Sequence, residues 1–496
     1  MMRHRLRRMR FVSNGMNFKD KKVLVMGLGT LGGGIAAAKW FVRQGARVTV
    51  TDTRPEKNLA ASVRALGGAA KKITFIFGEH REENFKENDV IVVNPAVPRE
   101  SRYLAIAKKN RKLLVNDARV FFDVVKNPVI AVTGTRGKTT TTNWIAHFLK
   151  VKNGNVVAAG NSSDVALLDL ADKLNDKKEP VVVELSSWQL ELLPGARRAP
   201  DIAVITNLHP DHLNRYHGIK AYALAKANIF RGQKRSQKLI LNGDSPWTEF
   251  FLRLRPKSSI FFFSLRQLPK NRNGIFLKEG VIFFRFGGVS APVVAKEAVS
   301  SVAGKGEHNV ANFMAAALAA HLAGVPWSAI ARAAGKLPQI RYREEIVVQK
   351  KNFTVVNDST ATSPDAVIAA IRRFKSRGDL ILITGGTDKN LDFEQLAEEI
   401  KKTLPPEDVF LLNGSATRKL VTELKKMKYF NEQKPQLFEN LEDILREIKS
   451  LYAIPHTLTS RIILFSPGAA SFEKFKNEFD RGEKFDGYAK KVFRQK

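Results

Sequence analysis

A glycine-rich segment between a predicted strand and a predicted helix carries the strongest chemical signal in the sequence. Val132-Thr133-Gly134-Thr135-Arg136-Gly137-Lys138-Thr139-Thr140 follows the apolar run Pro128 to Ala131 and precedes a helical pattern from Thr141 to Lys150. Backbone N–H groups of such a loop and the positive end of the next helix bind phosphate. Lys138 is expected to reach the β- and γ-phosphates of a nucleotide and Thr139 to ligate Mg²⁺. Because valine replaces the usual first glycine, a plain glycine turn with a surface lysine is the alternative.

Two further predicted strands end in residues that suit a metal site. Val181 to Val183 leads to Glu184, and Ile202 to Ile205 leads to Asp211 and His212. Ligands of parallel α/β sheets bind at the carboxyl ends of the strands, and Mg²⁺ takes carboxylate and phosphate oxygens. Glu184 is therefore predicted to hold Mg²⁺, with a helix cap or a solvated glutamate as the alternative. His212 either ligates the metal or orients an anionic intermediate, or it is a structural or merely exposed histidine.

The C-terminal part of the chain repeats this arrangement of polar residues behind strands. Asp358 follows the predicted strand Phe353 to Val356, and Lys389 follows Leu380 to Ile383. Both positions favour a functional role, although caps and salt-bridge partners are also common there. The small-residue segment Ser466 to Ser471 is expected either to bind a carboxylate through backbone N–H groups or to form a simple turn.

A second glycine motif opens the chain. Gly27-Leu28-Gly29-Thr30-Leu31-Gly32 follows the predicted strand Lys22 to Met26, and Asp52 ends the next predicted strand, Arg47 to Thr51. This pattern is the dinucleotide-binding fingerprint and by itself indicates a nicotinamide or flavin site. Since no dehydrogenase-like catalytic pair accompanies it, a nucleotide-sugar ligand is equally compatible.

The alternation of strands and helices predicts an α/β protein of three domains. We expect an N-terminal Rossmann-like domain, a central P-loop ATPase domain with a parallel sheet and a smaller β-rich part, and a C-terminal Rossmann-like domain. The predicted boundaries are residues 1–16 for a basic, disordered tail, then 17–116, 117–337 and 338–496. Translation beginning at Met16 is the alternative to the basic tail.

The composition limits the function classes. The chain has 82 Lys and Arg against 48 Asp and Glu, a formal net charge of +34, and no cysteine. The absence of cysteine excludes disulfides, thiolate metal sites and a cysteine nucleophile. The surplus of cations suits nucleic-acid binding, anionic small substrates or a basic proteome. Since the cations are scattered, we interpret them as general background and expect no stable nucleic-acid partner. No apolar run approaches the roughly 18 residues of a membrane span.

Taken together from about residue 18 onward, these segments resemble the Mur ligases. The signals shared by that whole family are Thr133 to Thr139 and Gly306-Glu307-His308-Asn309-Val310-Ala311-Asn312. Other segments resemble the branch of the family that adds D-glutamate, namely Glu184 to Glu191, Asn357 to Thr362, Gly385 to Lys389, Ser466 to Ser471 and Arg481-Gly482.

The resemblance implies a role for individual residues. It implies catalytic roles for Lys138, His212 and Lys226, and metal ligation by Thr139, Glu184, His212 and Lys226, the last as a carbamate. Without the resemblance, Lys226 reads as an ordinary surface lysine. The implied ATP-binding residues are Gly134, Thr135, Arg136, Gly137, Lys138, Thr139, Thr140, Asn312, Arg343 and Asp358. The implied substrate contacts are Asp52, Thr53 and Arg54 for the uridine diphosphate, Asn161 for the sugar and peptide, and Thr362, Lys389 and Ser471 for D-glutamate. Ser187 and Phe472 are further implied substrate-binding residues.

The resemblance also implies a reaction. It would use ATP and Mg²⁺ to join D-glutamate to UDP-N-acetylmuramoyl-L-alanine through an acyl phosphate, in peptidoglycan precursor synthesis, by a monomer in a bacterial cytoplasm. Three alternatives stay open at this stage. They are a nucleic-acid-associated P-loop ATPase, an NAD-dependent enzyme, and a related ligase of the Mur or folyl-polyglutamate type with another amino acid.

Overall fold

The computed structural model describes most of the 496-residue chain. The described residues are 17–29, 32–95, 97–154, 156–160, 165–174, 179–211, 213–303, 307–350, 352–431, 433–452 and 461–494. The chain divides into two compact units, Met1–Pro338 and Gln339–Lys496.

The first unit begins with a five-stranded parallel sheet in its described part, with strand order β3-β2-β1-β4-β5. This is the order of a Rossmann-like half, in which short apolar runs are buried on both faces by helices. Its strands are β1 (Lys22–Met26), β2 (Arg47–Asp52), β3 (Ile73–Phe77), β4 (Val90–Val93) and β5 (Leu113–Val115). Its helices are α1 (Gly33–Arg43), α2 (Glu56–Leu66), α3 (Glu82–Glu87), α4 (Arg102–Lys109) and α5 (Asp117–Val124).

A second sheet, of nine strands among the described residues, follows in the order β14-β13-β12-β11-β10-β9-β6-β8-β7. Strands β6 to β12 are parallel, and β13 and β14 are antiparallel. The β-rich part predicted from the sequence therefore continues the sheet that carries the phosphate loop. The strands are β6 (Val129–Thr133), β7 (Val157–Gly160), β8 (Val181–Glu184), β9 (Ile202–Ile205), β10 (Lys238–Asn242), β11 (Ser259–Ser264), β12 (Gly274–Lys278), β13 (Val281–Phe286) and β14 (Val289–Val294).

Helices cover this second sheet. Helix α13 packs beside α6, and its buried side chains are alanines with larger apolar residues between them, so the two backbones approach closely. The helices are α6 (Lys138–Asn153), α7 (Leu167–Lys173), α8 (Ser187–Leu190), α9 (Leu213–Tyr216), α10 (Ile219–Arg231), α11 (Thr248–Arg253), α12 (Lys296–Ala303), α13 (Glu307–Leu322) and α14 (Trp327–Ala334).

The second unit contains a six-stranded sheet within its described residues, with order β15-β16-β20-β17-β18-β19. All its neighbours are parallel except β15 and β16. The strands are β15 (Glu345–Gln349), β16 (Phe353–Asn357), β17 (Asp379–Thr384), β18 (Val409–Leu412), β19 (Gln436–Phe438) and β20 (Arg461–Phe465). The helices are α15 (Pro364–Lys375), α16 (Glu394–Thr403), α17 (Ser415–Lys426), α18 (Leu441–Tyr452) and α19 (Glu478–Arg494).

The predicted α/β fold class is confirmed by these mainly parallel sheets and their covering helices. The boundary at residue 116 or 117 between the first two predicted domains stays a prediction, because both sheets belong to one compact unit. In the described parts of the chain, no helix is long and apolar enough to cross a membrane.

Candidate active site

The loop between β6 and α6 takes a backbone path that two glycines make possible. Gly137 has a φ of 77°, in the left-handed region, and a Cβ there would overlap Asn312 Oδ1 and lie 2.9 Å from its Cγ. Gly134 has a φ of 152°, and a Cβ there would overlap the Thr206 hydroxyl and lie 3.2 Å from the backbone nitrogen of Asn207. Such a backbone, free of side chains, is what close approach to a phosphate requires.

The same loop is fastened to the segment that follows β9. The Asn207 side chain accepts a hydrogen bond from the backbone N–H of Arg136 at 2.9 Å and donates one to its carbonyl at 3.1 Å. The Thr206 hydroxyl donates to that carbonyl at 2.7 Å, and the Thr135 N–H donates to the Asn207 carbonyl at 3.1 Å. Because β6 and β9 are neighbouring strands, the sheet itself fixes the shape of the loop.

Helix α6 begins with the residues predicted to contact phosphate and metal. Lys138 is its first residue, and the Lys138 ammonium donates to the Thr135 carbonyl at 3.0 Å. Lys138 is half-buried, Thr139 and Thr140 are buried in the first helical turn, and Arg136 is exposed. The arrangement places the cation and the hydroxyls of the sequence motif at one end of the helix, where its dipole attracts anions.

Lys226 is a buried cation behind the loop. Its side chain is 1% exposed, and its ammonium donates to the Gly134 carbonyl at 2.7 Å. Burial, reinforced by the nearby charge of Lys138, lowers the pKa of Lys226 well below its usual value, against the opposing charges of Asp211 and Glu184. The reading of Lys226 as a surface lysine, taken from the sequence alone, is wrong, because helix α10 is buried along most of its length.

Glu184 ends β8, the strand next to β6, and is 3% exposed. The alternative of a solvated glutamate is therefore wrong. A buried carboxylate and the Thr139 hydroxyl supply the hard oxygen atoms that Mg²⁺ prefers, and substrate phosphates commonly complete such a site. In the described part of the chain, no three His, Cys, Asp or Glu side chains cluster as metal ligands.

The predicted substrate residues of the first unit lie at several places. Ser187, the first residue of α8, is buried behind the capping box that Ser186 and Gln189 form. His212 and Asn161 lie outside the described residues. Asn312 packs against Gly137 of the phosphate loop, and its role in ATP binding stays a prediction.

The carboxylate of Asp52 is already occupied by protein donors. Its Oδ1 accepts from the backbone and the Nε of Arg54, and its Oδ2 accepts from Nη2 of Arg54 and from the N–H of Gly29. Burial raises the pKa of Asp52, but these hydrogen bonds outweigh burial and lower it overall. A carboxylate so fully used is a poor acceptor for the ribose hydroxyls of a dinucleotide. Thr53, between the two residues, is exposed.

Three loops meet at the carboxyl edge of the sheet in the second unit. They follow the neighbouring strands β16, β20 and β17. Thr387 and Ala470 exchange two backbone hydrogen bonds of 2.9 and 3.0 Å, and the Gly385 N–H donates to the Pro467 carbonyl at 2.9 Å. The edge therefore gathers the predicted residues of this unit, as expected for a parallel sheet.

Asp358 is the buried acid of this edge. Its Oδ2 accepts from the Ser466 hydroxyl at 2.9 Å, and its Oδ1 accepts from the backbone N–H of Glu344 at 3.2 Å. Burial raises the pKa of Asp358 to about 7, against the Ser466 hydrogen bond and the positive charges of Arg343 and Arg481. Arg343 is thus electrostatically coupled to the acid, although the two were predicted separately.

The residues predicted to bind an amino acid lie on these loops. The Ser471 side chain is 3% exposed, and its hydroxyl has no hydrogen-bond partner within the protein. The Lys389 ammonium donates to the Thr362 hydroxyl at 3.3 Å, and Phe472 is 63% exposed. A buried hydroxyl without a partner is costly, so Ser471 is a strong candidate for a ligand contact.

Arg481 belongs to a segment that carries the family resemblance, although the sequence assigns it no individual role. It is fully buried, and its Nη1 donates to the carbonyls of Ala469 and Ala470 at 3.1 and 3.0 Å. Its Nε and Nη2 donate to the hydroxyl and carbonyl of Ser359 at 3.1 and 2.7 Å. Burial lowers the pKa of Arg481 to about 10. This cation thereby ties the loop that carries Asp358 to the loop that carries Ser471.

Helical spacing is the signal that could have revealed two missed residues. Arg481 lies four and eight residues before Phe485 and Ala489, both fully buried, and so shares the inward face of α19. Tyr222 lies four residues before Lys226 on α10, and its ring centre is 4.4 Å from the Lys226 ammonium. The buried Tyr222 hydroxyl is hydrogen-bonded to Thr135. Residues four apart on a helix are neighbours, so both placements follow from the sequence once the helix face is known.

Solved structures with the same architecture are ligases. One is MurF from Acinetobacter baumannii, with a TM-score of 0.56 and 17% identity over 83% of this chain and 93% of that one. Another is the MurF ligase from Thermotoga maritima in complex with ADP, with a TM-score of 0.54 and 16% identity over 97% of both chains. At these identities the likeness establishes a shared fold.

Sequence comparison is more specific. Residues 132–320 match the Mur ligase middle domain, and residues 21–115 match the MurD-like N-terminal domain of Mur ligases. The UDP-N-acetylmuramoylalanine–D-glutamate ligase of Roseiflexus sp. (strain RS-1) is 38% identical over 95% of this chain and 98% of its own length. That of Borreliella burgdorferi (strain ZS7) is 32% identical over 94% and 97%. The chain belongs to the Mur ligase family.

Proposed function

We propose that this chain is an ATP-dependent ligase that joins D-glutamate to the alanyl carboxyl group of UDP-N-acetylmuramoyl-L-alanine. The observation that carries the proposal is the meeting of the phosphate loop, Glu184 and buried Lys226 at one edge of the nine-stranded sheet. The names of the near full-length relatives support the choice of substrates. The domains proposed for the substrates are residues 17–116 for the UDP-sugar-peptide, 117–337 for ATP and 338–496 for D-glutamate.

The reaction has two chemical steps. The alanyl carboxylate attacks the γ-phosphorus of ATP, the bond to the β-phosphate oxygen breaks, and an acyl phosphate and ADP form. The amine of D-glutamate then attacks the acyl carbon, phosphate leaves, and the amine loses a proton as the amide forms. Both steps bring anions together or develop negative charge, so preorganised cations and N–H groups lower the barrier.

The residues of the first unit suit the phosphoryl step. The phosphate loop and the first turn of α6 would hold the β- and γ-phosphates, with Lys138 neutralising the charge that develops on the transferred group. Mg²⁺ would be held by Thr139 and Glu184 together with His212, which lies outside the described residues. The bound ion would neutralise phosphate charge. Asn312, beside Gly137, would contact ATP.

Lys226 is proposed to act as a carbamate. A carbamate forms when a neutral lysine amine adds carbon dioxide and releases a proton, and the lowered pKa of Lys226 favours that neutral amine. Carbamylation would replace an ammonium near Lys138 with an anionic oxygen ligand close to Glu184. The change of sign suits Mg²⁺, which takes oxygen ligands.

The second unit offers residues for D-glutamate and for the nucleotide. The unpartnered hydroxyl of Ser471 would donate to a carboxylate of D-glutamate, and Lys389 would provide a positive charge for the same amino acid. Thr362 and Phe472 would complete that contact, and Asp358 and Arg343 would contact ATP. Arg481 would keep these loops in register.

The first unit would bind the uridine diphosphate at the glycine loop after β1. Asp52 would act there by holding the Arg54 guanidinium beside the loop, because its oxygens already accept from Arg54 and Gly29. Thr53 and Arg54 would line the same site. We further propose that the enzyme is a monomer that acts in a bacterial cytoplasm.

The experiment that tests the proposal is phosphate release from ATP with UDP-N-acetylmuramoyl-L-alanine and one amino acid at a time. D-Glutamate should give release, whereas L-glutamate, L-alanine, a diamino acid and D-alanyl-D-alanine should not. A matched Lys138→Met chain should give none with any of them. Phosphate release with another amino acid would mean that the ligase uses that amino acid in place of D-glutamate. The absence of phosphate release from folded, ATP-binding protein would refute the ligase proposal.

A further inference from the structure

A bidentate ion pair beside the second sheet of the first unit also contacts the segment after β4 of the first sheet. Arg215 in α9 donates from Nε and Nη2 to the two carboxylate oxygens of Glu191, just after α8, at 3.0 and 2.9 Å. Its Nη1 donates to the carbonyl of Val97, in the segment after β4 of the first sheet, at 3.0 Å. The Arg215 and Glu191 side chains are 12% and 11% exposed. A shielded two-point pair of this kind fixes orientation as well as distance.

The carboxylate end of the pair reaches a predicted substrate residue. The Tyr216 hydroxyl donates to Glu191 Oε1 at 2.6 Å, and it is also hydrogen-bonded to Ser187, whose hydroxyl is therefore the donor. Arg215 lies over the ring of Trp188 at 4.7 Å. Ser187 and Trp188 open helix α8, so Glu191 and Arg215 together set the position of that helix start.

The Val97 carbonyl, which accepts from Arg215, is connected to the glycine loop of the first sheet. The Val97 N–H donates to the Asn94 carbonyl at 2.9 Å, which closes a turn. The Asn94 side chain in turn donates to the Gly27 carbonyl at 3.2 Å. A Cβ on Gly27 would lie 3.0 Å from the Asn94 Cβ, so the loop and Asn94 are in tight contact. One turn of backbone therefore separates Arg215 from the loop proposed to bind uridine diphosphate.

We propose that Arg215 and Glu191 are positioning residues that hold the diphosphate loop of the first sheet in register with Ser187 and the strand ends of the second. The inference rests on the proposed function, because it concerns a substrate that spans both sheets. Both members of the pair act through other residues, since the hydrogen bonds of Arg215 go to Glu191 and Val97. A displacement of about 1 Å in a substrate-holding element can cost roughly 100-fold in rate, so such register matters to catalysis.

The same unit contains a matched ion pair for comparison. Arg119 and Asp123 are 11% and 0% exposed, and their closest atoms are 2.8 Å apart. Arg119 also donates to a backbone carbonyl, that of Pro194, at 2.8 Å. Both partners lie on α5 and share a single hydrogen bond, so the pair matches the Arg215 pair in burial and in its bond to a backbone carbonyl, but it involves neither Glu191 nor the segment after β4.

The test compares Arg215→Met with Arg119→Met in the full chain. We expect the Arg215→Met chain to raise the KM for UDP-N-acetylmuramoyl-L-alanine by roughly 10- to 100-fold and to leave the KM for ATP within about threefold. The Arg119→Met substitution should lower the thermal midpoint of unfolding by about as much as Arg215→Met does. It should change neither the KM for ATP nor the KM for UDP-N-acetylmuramoyl-L-alanine. Arg215→Lys should recover little, because lysine cannot form the bidentate pair. If either methionine variant fails to fold, Glu191→Gln and Asp123→Asn replace the pair.

Calorimetric binding of the UDP-sugar-peptide without ATP supplies a readout that needs no turnover. Weaker binding by Arg215→Met than by Arg119→Met supports the positioning role. Equal binding and equal KM values in the two variants would overturn it, as would a rise in both KM values for Arg215→Met. A wild-type chain that neither binds nor uses the substrate would instead refute the proposed function, and the two failures are thereby distinguished.

Discussion

Replacing Gly137 with alanine tests whether Asn312 and the phosphate loop form one nucleotide site. Gly137 has a φ of 77° and a ψ of −2°, and an added Cβ would overlap Asn312 Oδ1 and lie 2.9 Å from Cγ. A left-handed conformation costs a non-glycine residue about 1–2 kcal/mol. Displacing a packed side chain adds about 1–3 kcal/mol. The Gly137→Ala chain should therefore lose roughly 2–5 kcal/mol in free energy of unfolding.

Gly32→Ala is the matched control for this substitution. Gly32 precedes α1 as Gly137 precedes α6, and it has a similar φ of 92° with a ψ of −30°. Among the described residues, no atom beyond its chain neighbours lies within 4 Å of a Cβ built on Gly32, so alanine there should add only the backbone cost. Because its ψ places Gly32 outside the left-handed helical region, we expect Gly32→Ala to lose about 1–3 kcal/mol, the cost of a sparsely populated backbone conformation, and to leave ATP affinity unchanged.

Urea unfolding and calorimetric ATP binding measure the two effects. Because Asn312 must move in the Gly137→Ala chain, the lost contact should weaken ATP binding about tenfold, the equivalent of roughly 1.4 kcal/mol. Equal loss of stability in the two variants would refute the steric argument. Unchanged ATP affinity in a destabilised Gly137→Ala chain would refute the role assigned to Asn312.

Three further outcomes follow from buried groups. The raised pKa of Asp358 makes the folded chain bind a proton more readily than the unfolded chain, so that stabilisation is complete below about pH 4 and lost as pH rises through about 7. Asp358→Asn should abolish that pH dependence in urea unfolding, and its persistence would contradict the assignment. Lys226→Ala should lower kcat by roughly 100-fold or more, with partial recovery on adding acetate, which fits the space that the side chain leaves, whereas Lys226→Arg should show no recovery. Ser471→Ala should raise the KM for D-glutamate roughly 10- to 100-fold, and the thermal midpoint should not fall because the hydroxyl has no protein partner to lose.

The strands that frame the site were predictable because parallel strands are apolar on both faces. The apolar runs Lys22–Met26 and Ile202–Ile205 predict strands with the bounds that the structure has. Other strands run one residue past their apolar run, as β8 does to Glu184. The ladder of backbone hydrogen bonds continues through such a polar residue, so composition alone ends the strand too early.

The buried charges were harder to predict, since each depends on partners distant in sequence. Arg215 and the Val97 carbonyl that it contacts are 118 residues apart, and Arg481 and Ser359 are 122 apart. No local sequence pattern reveals such a distant partner. Because most lysines and arginines are exposed, an isolated cation in a sequence is interpreted as a solvated side chain. Lys226 is such a cation, and its burial follows only from the burial of α10 along most of its length.

The two hydrogen bonds between the Asn207 side chain and the backbone of Arg136 have a thermodynamic consequence for nucleotide binding. Ordering one residue of free backbone costs about 1–2 kcal/mol in conformational entropy, so immobilising the four residues from Gly134 to Gly137 costs roughly 4–8 kcal/mol. In this chain the loop already loses that entropy during folding, when β6 and β9 pair and Asn207 binds the loop backbone. The nucleotide therefore binds a loop that is already ordered. A loop that became ordered only on binding would have an affinity lower by roughly 10³- to 10⁶-fold.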